Sequence, residues 1–498
     1  MINVVWFKRD LRIEDHRPLF NAAERGAVLP VYIVEPEYWR LEDSSARQWD
    51  FVRDCLSELQ TALRARGSEL FVLQMDAVDA LDLIHARFGG VTLWSHEETG
   101  NAWTYARDKR VAAWTKGHQT PWNEITQTGV VRRLGSRNGW ASHWDRVMAE
   151  PITPAPKRLS TPQCDLPTHI PNGRELGLAS DPCPERQSGG RQVALRTLDS
   201  FLHVRGRNYR FEMSSPVTAF DASSRISPHL TWGTLSMREA AQATWRRLNE
   251  LEPGPATKAW RNSLTSFSGR LHWHCHFIQK LEDDPAIEFA NMHSAYDGLR
   301  PETGDPERLA AFMEGRTGYP FADACLRALD RHGWLNFRMR AMLMSFASYH
   351  LWLPWRESGL FLARRFVDYE PGIHWPQVQM QSGTTGMNTV RIYNPIKQSY
   401  DHDPQGVFIR RYVPELDRVP DAFVHEPWKW GERTSYPVPI VDHSAATKAA
   451  RDAVYAIRKA SRHSEETARV IAKHASRKST PRRKPSKSAD PLQLSLKF

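Results

Sequence analysis

Apolar positions in the first 130 residues fall into short runs separated by stretches of helical spacing. Residues 3–7, 28–34, 70–73 and 91–94 are short, mainly apolar runs of strand length, and residues 46–66, 77–88 and 102–116 carry apolar side chains at helical intervals. Strand and helix in alternation predict a parallel, doubly wound sheet with helices on both faces and right-handed crossovers. No glycine-rich phosphate fingerprint follows the first strand, so a dinucleotide site of that kind is not expected. Glu97, Glu98, Thr99 and Asn101 sit just past the fourth strand's carboxyl end, where such sheets hold ligands. The plain alternative is a helix start capped by Thr99 or Asn101.

The pattern changes beyond that point. Residues 151–190 fill with Pro, Ser, Gly and Asp and read as a linker. Helical spacing then recurs at 192–204, 237–248, 257–281, 306–313, 322–332, 338–351 and 354–366. The expected fold class is α/β plus all-α. The expected units are an α/β domain at 1–130, a linker at 131–191, a helical domain at 192–440, and a basic extension at 441–498, helical at first and of disordered composition from residue 476.

A chain of 498 residues exceeds one ordinary core, and 41% hydrophobic with 25% charged residues is a globular composition. The net charge of +10 is concentrated at the end, because residues 441–498 hold 14 Lys and Arg against 5 Asp and Glu. The body is therefore nearly neutral, and any argument from charge to nucleic acid rests on the tail. Cys55, Cys164, Cys183, Cys275 and Cys325 show no paired spacing, which speaks against a disulfide framework and a zinc site. No apolar run reaches membrane-span length and the N-terminus lacks a signal-peptide core, so a cytoplasmic protein with free thiols and no metal is expected. The 19 Trp suit core packing, stacking on flat rings or electron hopping.

Candidate chemistry gathers in residues 366–394, which hold Asp368, Glu370, His374, several side-chain amides and three glycines. Broken by Pro and Gly, the stretch reads as a loop wrapping a polar ligand. Three others stand beside it: Ser-Ser-Arg-Ile-Ser-Pro-His-Leu-Thr-Trp-Gly at 223–233, Gly-Arg-Thr-Gly-Tyr-Pro-Phe-Ala-Asp-Ala at 315–324, and Gly-Trp-Leu-Asn-Phe-Arg-Met-Arg at 333–340. In this order and spacing they resemble the flavin-binding half of the photolyase and cryptochrome family. The resemblance runs from Val-Trp-Phe-Lys-Arg-Asp-Leu-Arg at 5–12 to about Leu416.

The resemblance implies FAD in the helical domain. It assigns Tyr209, Ser223, Ser224, Arg225, Ile226 and Ser227 to the cofactor, with serine hydroxyls, backbone N–H groups and the Arg225 charge facing phosphate. A serine cap before a Pro-initiated helix would explain the serines alone. Arg340 and Asp368 match an ion pair along the ring edge, Glu370 matches a family Asp on the pyrimidine side, and His374 stands where the family has Asn, Asp or Cys facing N5. A histidine there could exchange a proton near neutral pH.

By the same resemblance, Arg270, Trp273, Arg338 and Met380 match family positions lining the cavity for damaged bases. Arg270 replaces a Glu of dimer-repairing members, Met380 replaces a second cavity tryptophan, and Asn336-Phe337 stand where the other repair specificity has paired histidines. Trp355 matches the middle member of the family's electron-transfer chain, with Val378 and Glu302 at its other two positions and Trp334, Trp352 or Trp375 as bypass candidates. The catalytic candidates are therefore Trp355, Trp273 and His374. Only Cys275 and Cys325 fall in the flavin half, too few for a four-thiolate iron–sulfur cluster. Some members of the resembled family carry a second, light-harvesting chromophore (folate, deazaflavin or other) in the crevice between domains, and whether this chain does is left open by its residues.

The resemblance implies blue-light repair of pyrimidine lesions in DNA. Two alternatives stand beside it: a cryptochrome-like photoreceptor without turnover, and a nucleic-acid-binding module that has lost flavin. Gln-Leu-Ser-Leu-Lys-Phe at Gln493 to Phe498 is similar to peptides that dock on the bacterial sliding clamp, and a monomer is expected.

Overall fold

The computed structural model describes residues 2–432, 434–459 and 462–474. Five parallel strands, β1 (Ile2–Phe7), β2 (Val28–Ile33), β3 (Phe71–Leu73), β4 (Val91–His96) and β5 (Trp122–Ile125), form one sheet in the order β3-β2-β1-β4-β5. β1 is central, with Val4 opposite Leu29 of β2 on one side and Leu93 of β4 on the other. Its residues alternate between two cores: Val5 and Phe7 pack with Leu19, Trp49 and Phe51, while Val4 and Trp6 pack with Leu81, Ile84 and Val111. That period of two is why an apolar run with no polar break makes a strand covered on both faces. β5 is half-buried along its whole length at the sheet edge, and its Trp-Asn-Glu-Ile carries no apolar run to announce it.

Residues 131–191, expected as linker, contain a helix. Trp140–Ala149 buries Trp140, Trp144, Val147 and Met148 against Met237–Glu250 and Lys258–Asp283. Residues 150–190 have neither helix nor strand and wrap the α/β unit through backbone bonds, Val28 N–H to Ser160 O (2.7 Å) and Val72 N–H to Pro167 O (2.7 Å).

In the helical part, Lys258–Asp283 and Phe337–Ser345 both pack on Pro371–Ser382. This corrects the loop expected over 366–394: its middle is a helix with Pro376 inside it. Pro371 stands in the first turn, where its missing N–H costs nothing, and Pro376 forgoes one bond that burial between two helices offsets. Gly372 permits the close contact, since a Cβ there would lie 2.6 Å from Ile278 Cα. The loop proper begins at Gly383, in the left-handed region at φ +78°.

The two parts are bolted together at the sheet's carboxyl edge. Leu11 N–H donates to Trp232 O (3.1 Å), and Arg12 donates to Gly233 O (2.9 Å). Gly233 has φ +68°, and a Cβ there would stand 2.3 Å from Arg9 O. Beyond them, His443–Arg458 and Arg462–His474 close the described fold. The tail from 475 and the Gln493 to Phe498 peptide lie outside the described residues.

Candidate functional site

The Ser223–Ser227 segment joins two short helices, Pro216–Ala222 and Ser227–Thr231. Arg225 between them has φ +59°, a conformation that costs a non-glycine residue about 1–2 kcal/mol. Its guanidinium lies 4.2 Å over the Trp334 ring and 5.2 Å over Phe220. Its Nε is buried with no hydrogen-bond partner, and burial pulls its pKa down to about 10, with Asp368 opposing and Arg340 adding to the fall. A desolvated arginine with an orphaned donor is what an anion site offers a phosphate. Ile226 is buried in the core and serves packing, and the Ser227 hydroxyl accepts from Trp334 Nε1 (3.3 Å).

Arg340 and Asp368 pair through two bonds, 3.0 and 2.8 Å, and Arg340 also donates to Leu335 O (2.7 Å) with its guanidinium 4.0 Å over Phe366. Glu370 caps the Pro371–Ser382 helix, accepting from Gly372 N–H (3.5 Å), and forms an ion pair with Arg9 at 3.2 Å. Burial lifts its carboxyl above the ordinary range while Arg9 opposes. The carboxylate therefore faces Arg9 from the α/β unit, a partner the sequence reading did not name. The signal was the Lys-Arg-Asp-Leu-Arg run at the carboxyl end of β1.

His374, one turn after Glu370, donates from Nε2 to Gly359 O (2.9 Å) and meets Tyr369 and Trp375 edge-on. Burial depresses its pKa to about 4. It is neutral at pH 7 with its proton held by a carbonyl, so Nδ1 is an acceptor and nothing else. Desolvation thus favours the neutral ring over the proton exchange near neutrality expected of it.

On the Lys258–Asp283 helix, Trp273 stands edge-on to His276 (5.1 Å) and tilted against Phe277 (5.2 Å). One turn earlier the Arg270 guanidinium bonds the Tyr209 phenol and lies 5.8 Å from the Phe337 ring. Tyr209 is thus brought to Arg270, and it shares a core cluster with Ile226 of the 223–227 segment. Arg338 is 6.0 Å from the Tyr393 ring, and Met380 lies on the helix of His374. Trp355 stacks edge-on with Trp375 at 5.9 Å and donates to Asn291 Oδ1 (2.8 Å). Of the bypass candidates Trp375 is the one in contact with both His374 and Trp355. Trp334 serves Arg225, and Trp352 packs under Arg300.

At the crevice between sheet and helices, Asn101 caps Ala102–Gly117 by accepting from Thr104 N–H (3.1 Å), which bears out the plain reading of that residue. Glu98 pairs with Arg107 (2.5 Å). Glu97, Glu98 and Thr99 line a cavity of about 40 Å³ with Arg9, His274 and Glu370. Behind it a second, about 30 Å³, lies among Trp6, Tyr38, Trp39 and Trp232. Asp10 Oδ2 accepts from His96 Nδ1 (2.7 Å) and faces His16 Nε2 (3.0 Å). His16 Nδ1 accepts from Leu19 N–H (3.1 Å), so its proton is on Nε2 toward Asp10. A metal at Nε2 would force that proton onto Nδ1 against an N–H; within the trio the Asp10–His96 contact is a hydrogen bond, while His16 Nε2 faces Asp10 without hydrogen-bond geometry.

Residues 3–134 match the family model described as DNA photolyase, and residues 267–456 match the FAD binding domain of DNA photolyase. The chain belongs to the photolyase and cryptochrome family, and its cofactor is FAD. It is 27% identical over 473 residues to the deoxyribodipyrimidine photo-lyase of Escherichia coli (strain K12), covering 89% of this chain and 96% of that one. The crystal structure of a class III photolyase from Agrobacterium tumefaciens is similar with a TM-score of 0.79 at 25% identity, over 92% of this chain and 98% of that one. A cryptochrome from Synechocystis sp. PCC6803 shares the fold with a TM-score of 0.80 at 22% identity, over 91% and 99%. Among the described residues no helix is long and apolar enough to cross a membrane.

Proposed function

We propose that the chain is a light-driven DNA-repair lyase acting on pyrimidine dimers. The observation that carries this reading is the convergence of Arg225, with its orphaned Nε, on the Arg340–Asp368 pair, beside a helix that packs on the one bearing Arg270 and Trp273. Reduced FAD, when bound, supplies the electron that blue light sends into the lesion and that returns after the bond splits. Arg225 and the serines of 223–227 hold its phosphates. The Arg340–Asp368 pair fixes one edge of the ring site, and His374 presents an acceptor atom toward it. Arg270, Trp273, Arg338 and Met380 form the mouth that takes the flipped bases, with cations for flanking phosphates and an indole for stacking. Trp375 and Trp355 provide two buried, touching indoles on the way out from His374, which makes Trp375 the inner member of a route that lacks a tryptophan at 378.

The test is base restoration in dimer-containing DNA by the reduced protein under blue light against a dark control. Restoration only in the light supports repair. Bound, photoreducible flavin with no restoration of any pyrimidine lesion leaves the photoreceptor reading, which the mouth's departures from the dimer-repair pattern favour. A second chromophore at the crevice would have to part Arg9 from Glu370, since a ring ligand fills roughly 300 Å³ or more. Extraction and absorption of the purified protein decides that. The chain is read as a cytoplasmic monomer whose basic tail is a nonspecific nucleic-acid contact or a solubilising extension, with Gln493 to Phe498 as the alternative, a sliding-clamp peptide; light scattering, fractionation and a peptide pull-down test each point.

A further inference from the structure

Independently of the repair reading, we propose that Arg137 and Lys280 form a buried site for a small tetrahedral oxyanion, a free phosphate or the phosphate end of a nucleotide. The Arg137 side chain is 5% exposed, and its Nε donates to Asp283 Oδ2 (2.9 Å). Its Nη1 and Nη2 are buried with no hydrogen-bond partner among the described residues. Lys280 is 8% exposed, and its ammonium lies 5.0 Å over the Phe277 ring with no carboxylate beside it among the described residues. Asp284 is taken by Lys473 (3.1 Å) and His474 (3.2 Å). Two desolvated cations are thus left with the single carboxylate of Asp283.

The fold holds these donors in place. Gln279, next to Lys280 on the Lys258–Asp283 helix, bonds Val131 N–H (2.8 Å), Val131 O (2.8 Å) and Trp140 Nε1 (3.1 Å), which pins the segment carrying Arg137 to that helix. His276, one turn before Lys280, stands edge-on to Trp140 at 5.9 Å. His474, at the end of the Arg462–His474 helix, is buried beside Lys280 and His276, and its Nδ1 also lacks a partner among the described residues. Burial keeps His276 neutral, and burial first and Arg137 next pull Lys280 down to about 8, so the two cations feel one another.

Desolvated donors without acceptors are unfavourable, and a bound anion reverses that. The two terminal nitrogens of a guanidinium take two oxygens of one group, and an ammonium takes a third. A tetrahedral oxyanion has those three oxygens, whereas a carboxylate has two and chloride is a single point. Asp283 balances one of the two cations, and the charge that remains is what phosphate neutralises. The low exposure of every donor suits a small diffusing ion and shuts out the backbone of a DNA duplex.

Equilibrium dialysis of the FAD-loaded full chain against radiolabelled inorganic phosphate, in about 0.15 M chloride, tests the site with the flavin's own phosphate contacts filled. Saturable binding with a dissociation constant of about 1 mM or below is expected. Lys280→Met is expected to weaken it about tenfold or more, and Lys280→Arg to keep it within about threefold. Flavin absorbance of each variant verifies that it is folded. Without phosphate, Lys280→Met removes an unpaired buried cation and is expected to unfold at a higher temperature than wild type, a lead that shrinks as phosphate is added. Adenosine monophosphate displacing the label at lower concentration than unlabelled phosphate names a nucleotide as the occupant; otherwise the occupant is the free ion. No saturable binding by the wild type, or binding unchanged in Lys280→Met, overturns the assignment.

Discussion

Replacing Arg9 with methionine keeps an apolar stem and removes the cation facing Glu370. The two side chains are 3.2 Å apart and only 10% and 8% exposed. Unit charges at that distance attract with about 5 kcal/mol at an effective dielectric of about 20. Their own desolvation offsets part of this, and removing one partner of a buried pair costs about 3–5 kcal/mol. Arg9 also donates to Tyr369 O (2.9 Å) and lies 5.0 Å over Trp232, so the substitution loosens the α/β unit from the loop carrying Asp368. The loss depends on pH. Glu370 already has its carboxyl raised by burial, and without Arg9 it rises further. A carboxyl whose folded pKa lies above its unfolded value favours folding while protonated and loses that contribution as pH rises through the folded value. The deficit of Arg9→Met against wild type is therefore expected to be smaller near about pH 5, where only the Tyr369 and Trp232 contacts are lost, than near about pH 8, where the Glu370 pair is lost as well. Urea unfolding followed by tryptophan fluorescence at both pH values measures it. A deficit under about 1 kcal/mol at the higher pH, or one equal at both, refutes the reasoning.

Three further outcomes follow from the same site. Asp368→Asn leaves Arg340, 27% exposed, without its two-bond acceptor, and is expected to weaken FAD binding about tenfold or more by equilibrium dialysis; unchanged affinity counts against the pair's role. His374, with its pKa depressed to about 4, contributes no titration between about pH 5.5 and 8, so the rate of flavin photoreduction is expected to be flat there; a break near the ordinary histidine value that disappears in His374→Asn contradicts the acceptor assignment. Trp355→Phe and Trp375→Phe are each expected to slow photoreduction about tenfold or more, with the double variant little worse than either, because the two act in series. Two singles at the original rate remove that route.

The sheet was legible wherever a strand is covered on both faces. Val4 to Phe7 and Val28 to Ile33 are continuous apolar runs because both sides of the strand meet a core, whereas Trp122–Ile125 has one paired side and polar positions facing water. The Pro371–Ser382 helix was hidden because Pro376 and Gly372 argue locally against helix, and what stabilises it is packing between two helices distant in sequence. Trp140–Ala149 was hidden in the same way, its apolar face being short, preceded by Gly135 and Gly139 and followed by Pro151. Arg340 and Asp368 could be paired from their motifs, and they are. Their surroundings could not be read: Arg9 reaches Glu370 across 361 positions, and the carbonyl that fixes the His374 proton belongs to Gly359, a residue with no side chain to mark it. Tyr209 was placed by its interval along the chain, and its contact with Arg270 could not be read from that interval.

One flash delivered to the reduced, FAD-loaded protein saturated with lesion-bearing DNA tests the central claim most directly, reading absorbance of the restored bases and of reduced FAD together. The account expects bases restored in proportion to the photons absorbed and reduced FAD back at its starting level, since the electron returns. Reduced FAD lost with no base restored would contradict it.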